Sequence, residues 1–119
     1  MWWLFQAKKL SRDQSRILRG VLQRNEPVAI SATTLLEIAL LVSKRKIETA
    51  ISNIFDAVES NPVFQILLVT IQVASEVASL ETLVDPFDKA IVATARVHRL
   101  NLLTADERII ESGLIKTVS

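Results

Sequence analysis

The sequence lacks cysteine and tyrosine and contains a single histidine, His98. Without cysteine, the chain forms no disulfide framework and no thiolate zinc site, and a reducing compartment is compatible with it. One histidine also excludes a histidine-rich metal centre. Any metal site in this chain would therefore be built from oxygen ligands.

Glycine is scarce as well, with 2 residues in 119, and the sequence has no GxGxxG or P-loop pattern. This argues against a nucleotide cofactor. No segment approaches the about 20 apolar residues that a membrane helix needs, and the apolar residues 1–5 are too few for a signal peptide. The formal charge of +1 gives no global attraction to nucleic acid or membrane. We therefore expect a cytoplasmic protein without a membrane partner.

Half of the residues are hydrophobic and 23% are charged, which is the balance of an ordinary ordered domain. Short aliphatic runs alternate with amphipathic segments, and residues 2–7 are interpreted as a short helix. The strands predicted after it are 28–30, 63–69 (a buried strand), 99–104 and 114–118. This alternation is typical of an α/β fold with a parallel sheet.

The segment 85–96 predicts a helix whose start carries two acids. Pro86 fixes φ and lacks an N–H, so it suits the first turn of a helix. Asp85 before it is a good N-cap, and Asp88 falls in the first turn. An aspartate in that place is either a metal ligand beside a cleft or a charge that the helix dipole stabilises.

A second helix follows the strand 28–30 and is predicted to be largely buried, because residues 35–42 are apolar except at one position. Its candidate caps are Ser31, Thr33 and Thr34. Glu37 is the exception in the apolar run. A buried carboxylate is costly unless it is paired or bound to a metal, which favours a functional role. Alternatively, Glu37 occupies the one exposed strip of the helix.

One topological rule brings three acids together. In a parallel α/β sheet the carboxyl ends of strands and the N-termini of helices share one rim, where ligands bind. Glu37, Asp88 and Asp106 are all predicted at this rim, and oxygen ligands alone favour Mg²⁺ or Mn²⁺. Alternatively, each acid lies in a first turn because the helix dipole stabilises it by about 0.3–1 kcal/mol. Glu107 could replace Asp106 in the metal site.

Three segments resemble the successive motifs of PIN domains, and they are ISATTLLEIA (30–39), DPFDKAIVATAR (85–96) and LTADE (103–107). Within that family the chain is most similar to VapC-like toxins of type II toxin–antitoxin pairs. The resemblance implies a three-layer α/β/α fold around a mostly parallel sheet and a Mg²⁺- or Mn²⁺-dependent endoribonuclease. It implies that Glu37, Asp88 and Asp106 are the catalytic metal ligands. Asp85 would be a helix cap, and Thr104 would orient the site by hydrogen bonding.

The first motif of the family has no counterpart in this interpretation. PIN domains of this type begin with a central strand that ends in an aspartate, a principal metal ligand, and then a helix with a Trp-Trp-Leu-like cluster. Residues 2–4 match that helix, which puts the strand and its aspartate before Met1. We therefore expect residues 1–119 to form a single, N-terminally truncated PIN-like domain whose first, central strand is missing.

The resemblance implies an RNA substrate, a cognate antitoxin protein and, as a further assembly, a homodimer. Basic residues near the acidic motifs are candidates for RNA contact, and they are Lys44, Arg45, Lys46, Lys89, Arg96 and Arg108. An alternative function is a catalytically inactive PIN-like module that binds an antitoxin or a second copy of itself. An exposed apolar cluster at residues 2–5 would suit such a partner, unless its tryptophans pack into the core.

Overall fold

The structure is a computed structural model that describes residues 3–5, 20, 23–25, 27–43, 51–104 and 107–118. Its elements in chain order are β1 (Trp3–Phe5), β2 (Val28–Ser31), α1 (Ala32–Ser43), α2 (Ile51–Ser60), β3 (Phe64–Leu67), α3 (Ile71–Val77), α4 (Pro86–His98), β4 (Asn101–Leu103), α5 (Glu107–Ser112) and β5 (Thr117–Val118). The strands are all parallel, in the order β3-β2-β1-β4-β5. The predicted α/β fold with a parallel sheet is confirmed.

The central strand of this sheet is β1, which pairs with β2 on one side and β4 on the other. Leu4 lies opposite Ala29 and Leu102, and all three side chains are fully buried. The predictions of a helix here and of a missing central strand are therefore wrong. Periodicity cannot distinguish a three-residue buried strand from one turn of an apolar helix. Residues 3–5 form a strand because the backbone N–H and C=O groups of β2 and β4 each need a hydrogen-bonding partner between them.

The prediction that residues 2–5 form an exposed apolar cluster is wrong for Leu4, whose side chain is fully buried in the core. The other side chains of that cluster lie outside the described residues. Large apolar side chains are instead exposed on α1, on β3, after β3, at the start of α3 and before α4, and they are Leu36, Leu40, Ile66, Leu68, Val69, Ile71 and Val84. The apolar surface available to a partner therefore lies on other elements than predicted.

The core is formed where α4 packs on the sheet and on α3. Small or branched residues of α4, among them Ile91, Val92 and Ala95, are fully buried in one core cluster with Leu4 of β1 and Leu102 of β4. At the surface, Arg96 Nε lies 2.9 Å from Glu76 Oε1, which joins α4 to α3. No helix in the described part of the chain has the length and apolar content to cross a membrane.

The strand predicted at 63–69 is shorter and less buried than expected. It spans Phe64–Leu67 and forms one edge of the sheet, with Gln65 and Ile66 exposed. In the turn before it, Asn61 Oδ1 accepts a hydrogen bond from Val63 N at 3.0 Å. An apolar run looks the same in sequence whether the strand has two neighbours or one, so the edge position was not predictable.

The position of β1 can be tested with a pair of leucines. Leu4→Ala removes a fully buried side chain from the central strand and is expected to lower the free energy of unfolding by about 2–5 kcal/mol. Leu68→Ala removes an exposed side chain and is expected to change it by less than about 0.5 kcal/mol. Urea unfolding followed by circular dichroism measures both. Equal effects of the two substitutions would contradict the central placement of Trp3–Phe5.

Candidate functional site

The site is organised by the direct passage from β2 into α1. Ser31 ends the strand, and its Oγ accepts a hydrogen bond from Thr33 N at 3.0 Å. Among the three candidate caps, Ser31 is therefore the one that satisfies a free N–H at the start of the helix. Because no loop intervenes, the first turns of α1 lie at the carboxyl end of β2.

Glu37 points inward from α1. Its side chain is only 8% exposed, whereas its neighbour Leu36 is 54% exposed. The interpretation of Glu37 as part of an exposed strip is therefore wrong, because leucines face the solvent where that strip was expected. A helix that buries a carboxylate and exposes Leu36 and Leu40 is the reverse of what hydrophobic burial favours. The arrangement indicates that Glu37 is held inside by a polar function.

The two acids at the start of α4 have different environments. Asp85 Oδ1 accepts hydrogen bonds from Phe87 N at 2.8 Å and from Asp88 N at 3.2 Å, so Asp85 is the N-cap. Pro86 occupies the first turn, as predicted. Asp88 is also in the first turn, but its side chain is buried, with 2% exposed. The cap therefore orients the first turn, and Asp88 is the acid whose side chain is buried.

Of the three predicted acids, the structure describes Glu37 and Asp88, and both are buried. α1 packs against α4, and the N-terminus of α4 lies toward the carboxyl end of β4. Thr104 follows β4 directly and is fully buried at the same end. Asp106 lies outside the described residues, as do Lys44, Arg45 and Lys46. Within the described ranges no three acids or histidines approach closely enough to form a metal site by themselves.

Thr34 is a polar residue of this region whose role was not predicted beyond capping. It is fully buried one turn before Glu37, and among the described residues no hydrogen-bond partner exists for its Oγ1. A buried hydroxyl without such a partner is costly, by about 1–3 kcal/mol. The i, i+3 spacing of Thr34 and Glu37 puts both on one helix face and is the signal that could have identified it.

A cavity of about 450 Å³ opens beside Asp88. It lies between the connection that precedes α4 and helix α5, and its lining residues are Thr82, Leu83, Val84, Asp85, Asp88, Arg108, Glu111 and Ser112. Of the basic residues predicted to contact RNA, Arg108 lies at this cavity. Arg96 is instead engaged by Glu76 on α3.

In the part of the chain that the structure describes, these features define an α/β protein with a five-stranded parallel sheet and two buried carboxylates, one on α1 and one on α4. The family model described as "PIN domain" matches residues 2–113. The chain therefore belongs to the PIN domain family, and the predicted PIN resemblance is confirmed. A comparison with curated proteins finds no match.

Several solved structures share this fold. VapBC2 from Rickettsia felis, bound to a promoter DNA fragment, superposes with a TM-score of 0.75 at 17% identity, over 99% of this chain and 98% of that one. FitAcB from Neisseria gonorrhoeae gives a TM-score of 0.71 at 19% identity, over 100% and 97%. DNA-bound VapBC from Salmonella typhimurium gives 0.69 at 19% identity, over 99% and 97%. The likeness shows that the fold is common to all of them.

The capping role of Asp85 gives a stability prediction. Asp85→Ala removes the acceptor of two backbone N–H groups and is expected to lower the free energy of unfolding by about 0.5–2 kcal/mol. Asp85→Asn keeps a good cap and is expected to change it by only a few tenths. Urea unfolding measures both, and an equal loss for the two variants would show that charge, rather than capping, is what Asp85 supplies.

Proposed function

We propose that this chain is a divalent-metal-dependent endoribonuclease of the VapC-like toxin type. The observation that carries the proposal is the inward position of Glu37 on a helix that exposes Leu36 and Leu40, together with the buried position of Asp88 at the start of α4. Burying two carboxylates at one rim is unfavourable unless positive charge compensates them. PIN domains are generally divalent-metal-dependent nucleases, which gives such a cation a function.

The metal ligands in this proposal are Glu37, Asp88 and Asp106. The structure describes two of these ligands, Glu37 and Asp88, and both are buried carboxylates. The chain has no cysteine, and its one histidine is exposed. A set of oxygen donors of this kind fits Mg²⁺ or Mn²⁺. When bound, the cation would lower the pKa of a water molecule and stabilise charge on the phosphate. Thr104 would orient the site, and Asp85 supports it by capping α4.

The chain's own residues have distinct tasks in this mechanism. Asp85 holds the first turn of α4 in place, and so keeps the Asp88 carboxylate directed inward. Thr34 offers a buried hydroxyl on the same helix face as Glu37. Arg108 brings a guanidinium to the cavity beside Asp88, where acids would otherwise repel an RNA phosphate. No side chain needs to act as a covalent nucleophile.

A cognate antitoxin is the partner that we propose. The similar proteins VapBC2 and VapBC are described in complexes with DNA, and another similar structure is a toxin–antitoxin complex from Klebsiella pneumoniae. In this chain Leu36 and Leu40 on α1 and Ile66 on β3 are exposed, and such apolar surface suits a protein partner. A second copy of the chain could use the same kind of surface in a homodimer. We expect the protein in the cytoplasm, where its RNA substrate is located.

One observation favours the alternative of a catalytically inactive binding module. The strand β1 ends at Phe5 and is followed in the sequence by Gln6. The resemblance implies an aspartate at the end of the family's central strand, whereas the residue after β1 in this sequence is an amide. A site with one carboxylate fewer holds a cation less tightly.

The ribonuclease proposal predicts that Glu37→Gln and Asp88→Asn each lower RNA cleavage by about 100-fold or more. Substituting a residue that only supports a metal ligand already lowers metal affinity or activity by about 10–100-fold. Both should also weaken Mn²⁺ binding, measured by calorimetry on the protein without RNA. The matched control is Asp56→Asn, which removes an exposed carboxylate from α2 and should leave both quantities unchanged.

The outcomes separate the two functions. Cleavage by the unmodified protein that is lost in both site variants, with the fold retained, supports the nuclease. A folded protein that binds no Mn²⁺ and cleaves no RNA would sink the nuclease proposal and favour the binding module.

A gain-of-function variant tests whether Gln6 weakens the site. Gln6→Asp restores a carboxylate directly after β1 and is expected to tighten Mn²⁺ binding by about 10-fold, because ligand charge count sets cation affinity. Gln65→Asp, an exposed position on the edge strand β3, adds the same charge elsewhere and should have no such effect. Equal Mn²⁺ affinities for the two variants would mean that the missing acid does not belong to this site.

A further inference from the structure

Two threonines in the described helices are fully buried, and their hydroxyl groups have different surroundings. Thr94 on α4 donates a hydrogen bond from its Oγ1 to Ala90 O at 2.7 Å, four residues earlier in the same helix. The Oγ1 of Thr34 on α1 has no hydrogen-bond partner among the described residues, Glu37 included. Buried hydroxyl groups are nearly always hydrogen-bonded, because they lose their hydration on folding. The Thr34 hydroxyl is therefore an exception that needs a reason.

The position of Thr34 explains why its own helix does not satisfy the hydroxyl. A threonine in the body of a helix can donate to the carbonyl oxygen four residues before it, as Thr94 does. Thr34 lies in the first turn of α1, which begins at Ala32, and the residue four positions earlier is Ile30 of β2. No helix carbonyl is therefore presented to Thr34. A valine has nearly the same shape and would fill this position without burying a polar atom.

The surroundings of Thr34 suggest what its hydroxyl is for. Thr34 and Glu37 are three residues apart, a spacing at which side chains of one helix are neighbours, and both are buried. α1 packs against α4, whose first turn carries the buried Asp88. Mg²⁺ binds to one or two carboxylates and keeps several of its water molecules, which can donate hydrogen bonds. A hydroxyl oxygen beside a carboxylate ligand can accept such a hydrogen bond.

We propose that Thr34 is a positioning residue of the metal site, whose buried hydroxyl accepts a hydrogen bond from the hydration shell of the cation that Glu37 binds. The inference rests on the proposed function, because it needs a cation at Glu37. It adds that the Thr34 hydroxyl lowers the stability of the cation-free protein and raises its affinity for the cation. A hydroxyl with a purely structural role would not have these two opposite effects.

The test compares the unmodified full chain with variants of the two buried threonines. Thr34→Val is expected to raise the midpoint of thermal unfolding in EDTA by a few degrees, because it removes a buried polar atom that has no partner among the described residues. It is also expected to weaken Mn²⁺ binding by about 10-fold, measured by calorimetry without RNA, as the loss of a group that supports a metal ligand does. Thr34→Ser keeps a hydroxyl and should bind Mn²⁺ nearly as tightly as the unmodified protein.

Thr94→Val is the matched control, because it removes a buried hydroxyl that is already bonded to Ala90 O. This substitution is expected to lower the midpoint of thermal unfolding in EDTA and to leave the Mn²⁺ affinity unchanged. The two valine variants thus differ in the direction of the stability change as well as in their effect on the cation.

A Thr34→Val protein that is less stable in EDTA, or that fails to fold, would show that the hydroxyl is structural and would overturn the proposal. Unchanged Mn²⁺ affinity in this variant would overturn it as well. If Glu37→Gln weakens Mn²⁺ binding and Thr34→Val does not, the positioning role is wrong and the metal site stands. If the unmodified protein binds no Mn²⁺, the proposed function fails, and the positioning role fails with it.

Discussion

The pairing of β1 with both β2 and β4 is the constraint on which the rest of this structure depends. Three residues in the middle of a parallel sheet align the carboxyl ends of their neighbours, because parallel pairing fixes the register on both sides. The end of β2 then becomes the start of α1, and the end of β4 leads to Thr104. The candidate site is thus a consequence of where the central strand lies, although β1 supplies no carboxylate of its own.

In α1, a charged side chain is buried while apolar side chains are exposed. Hydrophobic burial alone would turn Leu36 and Leu40 inward and leave Glu37 in water, but the helix has the opposite orientation. Such a conflict between local preference and observed structure is most often found at functional sites, where a ligand or partner compensates for it. In the function proposed above, a cation would bind at the Glu37 carboxylate and a protein partner would cover Leu36 and Leu40.

The helix α4 was predictable in detail, whereas β1 and β3 were not. Pro86 and Asp85 act through φ and through hydrogen bonds to the next two or three residues, so their effect is local and visible in the sequence. The strand β1 is too short to show a period, and its identity depends on partners more than 20 residues away. The exposure of Ile66 depends on β3 having a neighbour on one side only.

For the site, the sequence alone predicted that parallel topology delivers Glu37, Asp88 and Asp106 to one rim. It also separated Asp85 from Asp88 by their positions around Pro86. It also determined the oxygen chemistry of any metal site, since cysteine is absent and histidine nearly so. Only the tertiary structure decided that Glu37 faces inward, that Thr34 is buried with it, and that a cavity joins Asp88 to Arg108. The reason is physical: caps and turns depend on neighbours in the chain, whereas the face that a helix buries depends on everything packed against it.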